Sequence, residues 1–552
     1  MTAKKLKLVQ KADALLGREK GAVIKEPGGR LRICLVYPNT YHVGMSNLGF
    51  QGVYGMLNRM PDVLCERAFL PDAQDIGEYA GEAFPLFSLE SKRPLSRFDM
   101  VAFSVPFEND YPNVPTILRL ARITPLARER GPREPLLLYG GITAFSNPEP
   151  LADFFDVVFV GEAEPLLPPF IDAVRRSAGR EELMKNLPDL PGIYLPSLYE
   201  VSYGPDGTIR GRKGTAPAAP ASIKKQVAPD WKGFSMRHSI VTPETEFSDM
   251  RLVELMRGCP WSCSFCLTGQ VYNPPRVRPA EDVKKEIEEA RAAGQFFRVG
   301  LVGPSVSDYQ GLSGLLMMEG VEFSVTSLRA GRKSIALLPF LKGSRSLSIA
   351  AEAGTGRLRG LVNKKITEED ILETAGAILK EGINLRVYFI AGLPTETEED
   401  IDGLIDLTGR IRGITPKGKI TLTVSTFVPK PFTCFQWHPM ERPEVIKARL
   451  KRIKKALGAL KGVAVFHDLP KYACMQGVFA MGGRELCPVI LSMANEGLDY
   501  REALRKAGLT EDFYIFRHKG ADETLPWDFI DAGADKQKLR TQYELQMQKA
   551  EK

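Results

Sequence analysis

Three of the eight cysteines stand close together in the segment MRGCPWSCSFCLTG. They are Cys259, Cys263 and Cys266, and the spacing Cys-x3-Cys-x2-Cys brings three thiols into one short loop. Thiolates are ligands that suit iron, and three of them can bind three corners of a cubane cluster. The fourth iron would then lack a protein ligand. A small molecule with an amino and a carboxylate group could chelate this iron. The spacing therefore predicts a four-iron, four-sulfur cluster that is open at one iron.

The main alternative is a zinc site, or three buried cysteines with a purely structural role. Structural zinc recruits four ligands, usually with a second Cys or His pair further along the chain. The nearest histidine before the loop is His238, and none follows the loop closely. The cluster is therefore favoured. Three other cysteines could bind an auxiliary cluster, and they are Cys434, Cys474 and Cys487. Their spacing matches no compact ferredoxin-like pattern, so buried structural thiols are favoured.

The cysteine loop lies in a series of alternating strand-like and helix-like segments. Apolar, β-branched runs predict six strands with amphipathic helices between them, at residues 252–257, 297–302, 322–327, 347–351, 384–390 and 420–427. Six β/α units predict a partial barrel, in which active groups lie at the carboxyl ends of the strands. Cys259 comes two residues after the first predicted strand, where such chemistry is expected.

A second alternating series precedes the barrel. Strands are predicted at residues 31–38, 98–106, 135–141 and 154–164, with helices between them, which indicates a doubly wound parallel sheet. A Pro-Asp-Gly turn then predicts a small hairpin. We therefore expect five regions, which are a lead-in, an α/β domain, a linker with a hairpin, the barrel and a mixed C-terminal extension: residues 1–30, 31–180, 181–245, 246–465 and 466–552.

Composition and charge set limits on the function. Apolar residues make up 44% and charged residues 26% of the chain, as in ordinary soluble proteins. The net charge of +7 permits an anionic partner without requiring one. The basic segment 447–462 could contact RNA, although a solvated helix face is favoured. Sparse cysteines, the absence of an apolar leader and the absence of a long apolar stretch predict a cytoplasmic protein without a membrane span.

The cysteine loop and its context resemble the radical S-adenosylmethionine (SAM) superfamily. In that family the cluster reduces SAM by one electron, and the residue before the third cysteine is usually aromatic and packs near the adenine. The resemblance therefore implies this role for Phe265. The segment VGLVGPSVSDYQG at 299–311 occupies the place of the glycine-rich second-strand motif, and so implies that Gly303 and Pro304 contact SAM. It departs from the common Gly-Gly-Glu form, which leaves the individual roles open.

Two further segments extend this resemblance. SLSIAAEAGTGRLRG resembles the fourth-strand motif and implies that Glu352 faces SAM. LRVYFIAGLPTETEED resembles the fifth-strand motif, whose backbone would pass the adenine at Ala391, Gly392 and Leu393. Arg386 in the same segment would pair with the SAM carboxylate, and a solvent-facing arginine is the alternative.

The amino-terminal region resembles the cobalamin-binding domain that precedes the barrel in one large subfamily. The resemblance is carried by the segments at 37–49, 103–114, 139–151 and 158–164. It implies that Gly140 and Gly141 let the backbone approach the nucleotide tail and that Ser104 hydrogen-bonds the same tail. Many such domains carry Asp-x-His-x-x-Gly, whose histidine ligates cobalt. Here the aspartate is missing and His42 stands one place too close to the glycine, so His42 is not expected to be a ligand.

The resemblance as a whole implies a fold and a reaction class. The fold is α/β, with a Rossmann-like (flavodoxin-like) cobalamin-type domain, a partial (β/α)6 TIM-like radical SAM barrel and a mixed C-terminal extension. The implied function is a cobalamin-dependent methyltransferase that acts on an unactivated carbon and receives electrons from a flavodoxin- or ferredoxin-type donor. A cobalamin-independent radical SAM enzyme that catalyses rearrangement, cyclisation or sulfur insertion is one alternative. An RNA- or ribosome-associated iron–sulfur protein is the other.

Overall fold

The computed structural model describes residues 3–80, 84–229, 237, 240–292, 294, 298–325 and 327–550. The chain divides into two compact units. Unit 1 comprises Met1–Arg251, Phe479–Glu511 and Asp522–Gly533, and unit 2 comprises Leu252–Val478, Asp512–Ala521 and Ala534–Lys552. The C-terminal residues therefore contribute to both units. No helix within the described ranges is both long enough and apolar enough to cross a membrane.

The strands and helices of the described residues are numbered in chain order. The strands are β1 Leu31–Tyr37, β2 Val63–Phe69, β3 Met100–Ser104, β4 Leu136–Gly140, β5 Val157–Phe159, β6 Ile193–Tyr194, β7 Tyr199–Tyr203, β8 Ile209–Gly214, β9 Ile223–Lys224, β10 Arg251–Glu254, β11 Met256–Arg257, β12 Arg276–Val277, β13 Arg298–Val302, β14 Glu322–Val325, β15 Ser346–Glu352, β16 Asn384–Ala391, β17 Ile420–Thr426, β18 Val463–His467 and β19 Ile530–Asp531. The α-helices are α1 Ala3–Gly17, α2 Tyr41–Met45, α3 Leu48–Arg59, α4 Ala73–Ala80, α5 Asn113–Leu120, α6 Ile142–Ser146, α7 Ala163–Arg176, α8 Arg180–Asn186, α9 Thr268–Val271, α10 Ala280–Ala292, α11 Leu312–Leu316, α12 Arg332–Leu337, α13 Gly356–Leu361, α14 Glu368–Lys380, α15 Glu398–Ile414, α16 Pro443–Gly458, α17 Pro470–Met481, α18 Cys487–Glu496, α19 Tyr500–Lys506 and α20 Lys536–Ala550.

Unit 1 is built on a six-stranded sheet in the order β2-β1-β3-β4-β5-β6. The first five strands run parallel, and β6 pairs with β5 in the antiparallel direction. The order 2-1-3-4-5 is that of flavodoxin-like folds, which bind ligands at the carboxyl ends of their strands. The predicted doubly wound sheet is confirmed. The predicted hairpin is also present, as the antiparallel pair β7–β8.

Strand β2 was not predicted, because its sequence VLCERAF contains two adjacent charges. Both are buried in the sheet and fully paired. Glu66 accepts hydrogen bonds from the hydroxyls of Ser88 and Ser91, at 2.5 and 2.6 Å. Arg67 has no exposed side-chain surface and pairs with Glu19 at 2.6 Å and with Glu90 at 2.7 Å. Charges can occupy a buried strand only when such partners compensate their desolvation.

Unit 2 is the partial barrel. β10, β13 and β14 form one sheet, β15 to β18 form a second parallel sheet, and a parallel bridge between Leu328 and Ile349 connects the two. One side of the strands packs against the helices through a large apolar core. The six predicted strands are present, although residues 293, 297 and 326 at predicted element ends lie outside the described residues. Among the described residues of unit 2, the strands that were not predicted are β12 and β18.

The first predicted barrel strand is interrupted. It ends at Glu254, and the next two-residue strand, β11, pairs with β12 in the antiparallel direction. This short ribbon joins the two ends of the segment that contains the three cysteines. The interruption therefore closes the base of the cysteine loop.

Candidate active site

The base of the cysteine loop depends on Gly258, which follows β11. Its φ is +80°, in the left-handed region that favours glycine. A Cβ atom at this position would lie 2.3 Å from the carbonyl oxygen of Tyr272, at the other end of the loop. Only glycine permits this close approach. The residue immediately before the first cysteine is therefore fixed by backbone geometry.

The body of the loop is held by two neighbouring segments. Ser264 donates its backbone N–H to Val362 at 3.0 Å, and the side chain of Asn363 donates to the carbonyl of Ser262 at 2.7 Å. On the other side, the indole N–H of Trp261 donates to Asp308 at 2.7 Å. These contacts fix the loop between the end of α13 and the segment that follows β13.

The three thiols have different exposures. Cys263 is buried, whereas Cys259 and Cys266 are half-buried. Burial is the largest cause that raises the pKa of Cys259 and raises that of Cys263 to about 11, and the negative charge of Cys266 acts in the same direction on both. The positive charge of Lys364 opposes these effects at both thiols, and that of Arg329 does so at Cys259. The three thiols therefore lie within electrostatic range of one another.

The thiol donors of the loop are of the type that an iron–sulfur cluster uses. Among the described residues, no group of three or more His, Cys, Asp or Glu side chains is arranged to hold one metal ion. A cubane places each thiolate on a different iron, and thiolates are the ligands it uses. Cys259, Cys263 and Cys266 could therefore hold three of its four irons. His238, which bears on the zinc alternative, lies outside the described residues.

Glu352 lies near these cysteines. It is the last residue of β15, follows a register shift at Ala350, and has a φ of +64°, which is uncommon for a residue other than glycine. Its carboxylate pairs with Lys364 at 2.8 Å, and both side chains are largely buried. The charges of both groups act on Cys263. Strained backbone of this kind clusters at functional sites.

The other predicted SAM contacts lie at the carboxyl ends of β13 and β16. Gly303 follows β13, Pro304 beside it is exposed, and Phe265 in the loop is half-buried. Beyond β16, the N–H of Gly392 donates to the carboxylate of Glu396 at 2.7 Å. The predicted contacts in this turn, Ala391, Gly392 and Leu393, are all buried. The carbonyl of Ala391 already accepts a bond from Phe427 at 2.9 Å.

Arg386 lies elsewhere on β16. It stands five residues before Ala391, which places it roughly 16 Å towards the amino end of the strand. Its side chain is exposed, and its register neighbours are Ser348 and Thr421. The structure therefore does not bring Arg386 to the carboxyl ends of the strands. Arg329 and Lys364, which sequence reasoning missed, are the described cations whose charges act on the cysteines.

The candidate cobalamin contacts lie together at the carboxyl edge of the unit 1 sheet. Ser104 and Gly140 are register partners at the ends of β3 and β4. A Cβ atom added to Gly140 would meet nothing within 4 Å, so this glycine leaves open space. Gly141 differs, because its φ is +110° and an added Cβ would lie 2.6 Å from the carbonyl oxygen of Val105. Gly141 is therefore required for close packing of the two loops.

Loops after β1 and β3 meet at the same edge, where strand order reverses. The side chain of Asn39 donates to Asp110 at 2.7 Å, and burial raises the pKa of Asp110 to about 6. Neither residue was identified individually from the sequence, although both lie in segments that carry the resemblance, because only the fold brings the two loops together. His42 is exposed, and its Nε2 lies 3.8 Å from the carboxylate of Glu246.

The remaining candidates have local structural partners. Cys434, Cys474 and Cys487 are all buried; the first two belong to unit 2 and the third to unit 1. The thiol of Cys434 donates to Gln546 at 2.9 Å. In the basic helix α16, Arg449 and Arg452 form ion pairs with acidic residues of α15 or of the turn before it. These arginines are therefore engaged within the barrel.

Two family models match the chain. The first, described as radical SAM proteins, N-terminal, matches residues 49–196, and the second, radical SAM superfamily, matches residues 253–408. Together they span more than half of the chain, and the second contains the cysteine loop. The fold and the site thus define an enzyme that uses an iron–sulfur cluster with SAM. This chain belongs to the radical SAM superfamily.

The individual relatives have low sequence identity to this chain. An uncharacterized protein of Methanocaldococcus jannaschii is 29% identical over 494 residues, 88% of this chain and 97% of that protein. The tRNA-2-methylthio-N(6)-dimethylallyladenosine synthase of Petrotoga mobilis is 25% identical over 179 residues, 29% of this chain and 40% of that protein. The solved structure of the radical SAM methyltransferase TsrM of Kitasatospora setae, with cobalamin and a 4Fe-4S cluster bound, is 14% identical, covers 72% of each chain and gives a TM-score of 0.46. The identification rests on the two family matches.

Proposed function

We propose that this protein is a cobalamin-dependent radical SAM methyltransferase that acts on an unactivated carbon. The observation that carries the proposal is the combination of two sites in one chain. The loop of three cysteines follows the first strand of the barrel, and Gly258 allows its two ends to meet. Ser104 and Gly140 lie at the carboxyl edge of the unit 1 sheet, which has the strand order of flavodoxin-like folds, and Gly140 leaves open space there. When bound, a reduced cluster supplies one electron to the sulfonium of SAM, and cobalamin carries a methyl group.

The barrel residues have separate tasks in this proposal. Cys259, Cys263 and Cys266 hold the cluster, and Gly258 sets the direction in which the loop leaves β11. Glu352 faces SAM and is held in place by its ion pair with Lys364. The half-buried ring of Phe265 packs near the adenine, as do the backbone atoms of three residues after β16: Ala391, Gly392 and Leu393. Gly303 and Pro304 meet the methionine end.

The carboxylate of SAM needs a cationic partner near the cluster. Arg386 was the sequence-based candidate and stays a prediction. Arg329 is better placed, because its charge acts on Cys259 and its guanidinium lies 3.7 Å above the ring of Trp261 in the cysteine loop. A guanidinium matches a carboxylate with two parallel hydrogen bonds. We therefore assign this task to Arg329 in preference to Arg386.

In unit 1 the proposed cofactor contacts come from loops rather than from a cobalt ligand. Gly140 leaves room for the nucleotide tail, Ser104 offers a hydroxyl beside it, and Gly141 lets the following loop pack on Val105. His42 has no part in this proposal. Cobalt would then be bound without His42 as a ligand.

Corrinoid binding by a glycine variant tests the proposal. The chain is reconstituted without oxygen with iron, sulfide and hydroxocobalamin, and bound corrinoid is measured by its visible absorption after gel filtration. Gly140→Val should lose most of the corrinoid, because its side chain fills the open space, and should keep the cluster. Gly179→Val is the matched control, since an added Cβ there also meets nothing within 4 Å but lies before α8. Wild-type protein without corrinoid would contradict the methyltransferase proposal.

A second candidate keeps the cluster and omits cobalamin. It is a radical SAM enzyme that inserts sulfur, and the partial likeness to a tRNA methylthio synthase favours it over other cobalamin-independent reactions. That likeness covers less than half of the relative, so it supports this candidate less than unit 1 supports the first. SAM cleavage by a chain that binds no corrinoid would favour this second candidate.

A further inference from the structure

Side-chain hydrogen bonds of Gln546 connect the cysteine loop to two distant segments of unit 2. The amide nitrogen of Gln546 donates to the hydroxyl of Ser264 at 2.6 Å. The thiol of Cys434 donates to the amide oxygen of Gln546 at 2.9 Å. Gln546 therefore joins Ser264 to Cys434, and these three residues are called the Gln546 bridge.

The Gln546 bridge is buried. Ser264 and Cys434 are fully buried, and Gln546 is 8% exposed. Cys434 belongs to the buried segment that follows β17, and Gln546 lies on the C-terminal helix α20. A buried polar side chain that loses its partner costs about 1–3 kcal/mol, so the two hydrogen bonds of Gln546 hold the three side chains together.

Ser264 links the Gln546 bridge to the cysteine loop. Ser264 lies directly between Cys263 and Phe265, and its backbone N–H is already fixed to Val362 at 3.0 Å. The hydrogen bond from Gln546 fixes the side chain of Ser264 as well. The backbone that carries the second and third cysteines is thus held at both its main chain and its side chain.

We infer that Gln546 and Cys434 are positioning residues for the cluster, through which the C-terminal helix controls how firmly the cysteine loop retains it. The inference rests on the proposed role of the three cysteines and extends it to residues outside the matched family regions. Groups that orient metal ligands from outside typically change metal affinity 10–100-fold when they are replaced. Hydrogen bonds and solvent exposure around a cluster also influence its reduction potential.

The test compares Gln546→Met with wild-type protein after anaerobic reconstitution. The cluster absorbance is followed while a chelator removes iron, and the electron paramagnetic resonance spectrum of the reduced cluster is recorded. Methionine fills the same space without either hydrogen bond, so cluster loss should be roughly tenfold faster and the spectrum should change. Gln548→Met is the matched control, because Gln548 is exposed on the same helix.

Three further variants keep the test decisive if Gln546→Met folds poorly. Ser264→Ala should accelerate cluster loss similarly. The double variant of Gln546→Met and Ser264→Ala should lose the cluster no faster than either single variant, because both substitutions break the same hydrogen bond. Cys434→Ser keeps a donor and an acceptor and should remain near wild type. The inference alone would be overturned if well-folded variants of Gln546 and Ser264 lost the cluster at the wild-type rate. It would also be overturned if the two effects on the rate of cluster loss added in the double variant. Wild-type protein that takes up no cluster would overturn the proposed function as well.

Discussion

At the scale of single residues, the cysteine loop depends first on a residue that does not bind the cluster. Gly258 combines a φ of +80° with a close approach to the carbonyl oxygen of Tyr272. Any side chain at this position would separate the two ends of the loop and move Cys259. The geometry of the metal ligands is therefore set partly by the absence of a side chain.

Gly258→Ala should lower the stability of the barrel and reduce cluster uptake. Left-handed backbone at a residue other than glycine costs about 1–3 kcal/mol, and the contact with Tyr272 adds to this. Iron and sulfide per chain after reconstitution should fall well below the wild-type values. Gly409→Ala is the control, since an added Cβ there meets nothing within 4 Å and alanine favours the helix α15 by up to about 1 kcal/mol. Equal cluster content in both variants would show that the loop tolerates a wider base.

The sequence predicted the residues of the loop but not those that surround it. Cys-x3-Cys-x2-Cys is a local pattern, so its chemistry could be inferred from spacing alone. Arg329, Lys364 and Gln546 reach the loop from positions far along the chain, and no local pattern marks them. Arg386 illustrates the opposite case, because its segment fits a motif while its place on β16 lies far from the other candidates.

At the scale of elements, the buried segment after β17 and the C-terminal helix α20 support each other. His438 of this segment lies 3.0 Å from the hydroxyl of Tyr543 on α20 and packs edge-on against His518. Burial, together with the smaller effects of the charges of His518 and Lys519, lowers the pKa of His438 to about 4. The folded protein therefore holds this ring neutral.

This neutral histidine should make the barrel sensitive to acid. The unfolded chain binds a proton at His438 below its ordinary pKa of 6.5, whereas the folded chain does so only near 4. The contribution of neutral His438 to the free energy of unfolding is thus fully present above about pH 6.5. It falls by roughly 3 kcal/mol as the pH drops towards 4. Urea unfolding at about pH 7 and about pH 5 should show a smaller loss for His438→Gln than for wild type. His467→Gln, on the edge strand β18, is the control and should behave as wild type; equal acid sensitivity in all three would contradict the assignment.

Elements were predicted well where their cores are apolar and poorly where they are not. The run LRICLVY gives β1 directly, and the barrel strands follow from similar runs. β2 was missed because its buried charges are compensated by partners outside the strand. β18 was missed because Ala464 and Phe466 are exposed on one side while Val463 and Val465 pack on the core only partly. Neither signal can be read without the neighbouring elements.

At the scale of the whole molecule, the chain divides into two units, and its C-terminal region contributes to both. In the proposed function, unit 1 binds cobalamin at the carboxyl edge of its sheet, and unit 2 holds the cluster through its three cysteines. The family matches fall on both units. The proposed reaction requires both, since one unit supplies the radical chemistry and the other the methyl carrier.

Reductive cleavage of SAM is the most direct test of this account. Anaerobically reconstituted protein is mixed with SAM and a strong reductant, and 5′-deoxyadenosine is quantified by chromatography. Wild type and Cys474→Ala should form it, because Cys474 is a buried thiol outside the loop. Cys263→Ala should form none. A wild-type chain that contains iron and sulfide but yields no 5′-deoxyadenosine, or a Cys263→Ala variant as active as wild type, would contradict the central claim.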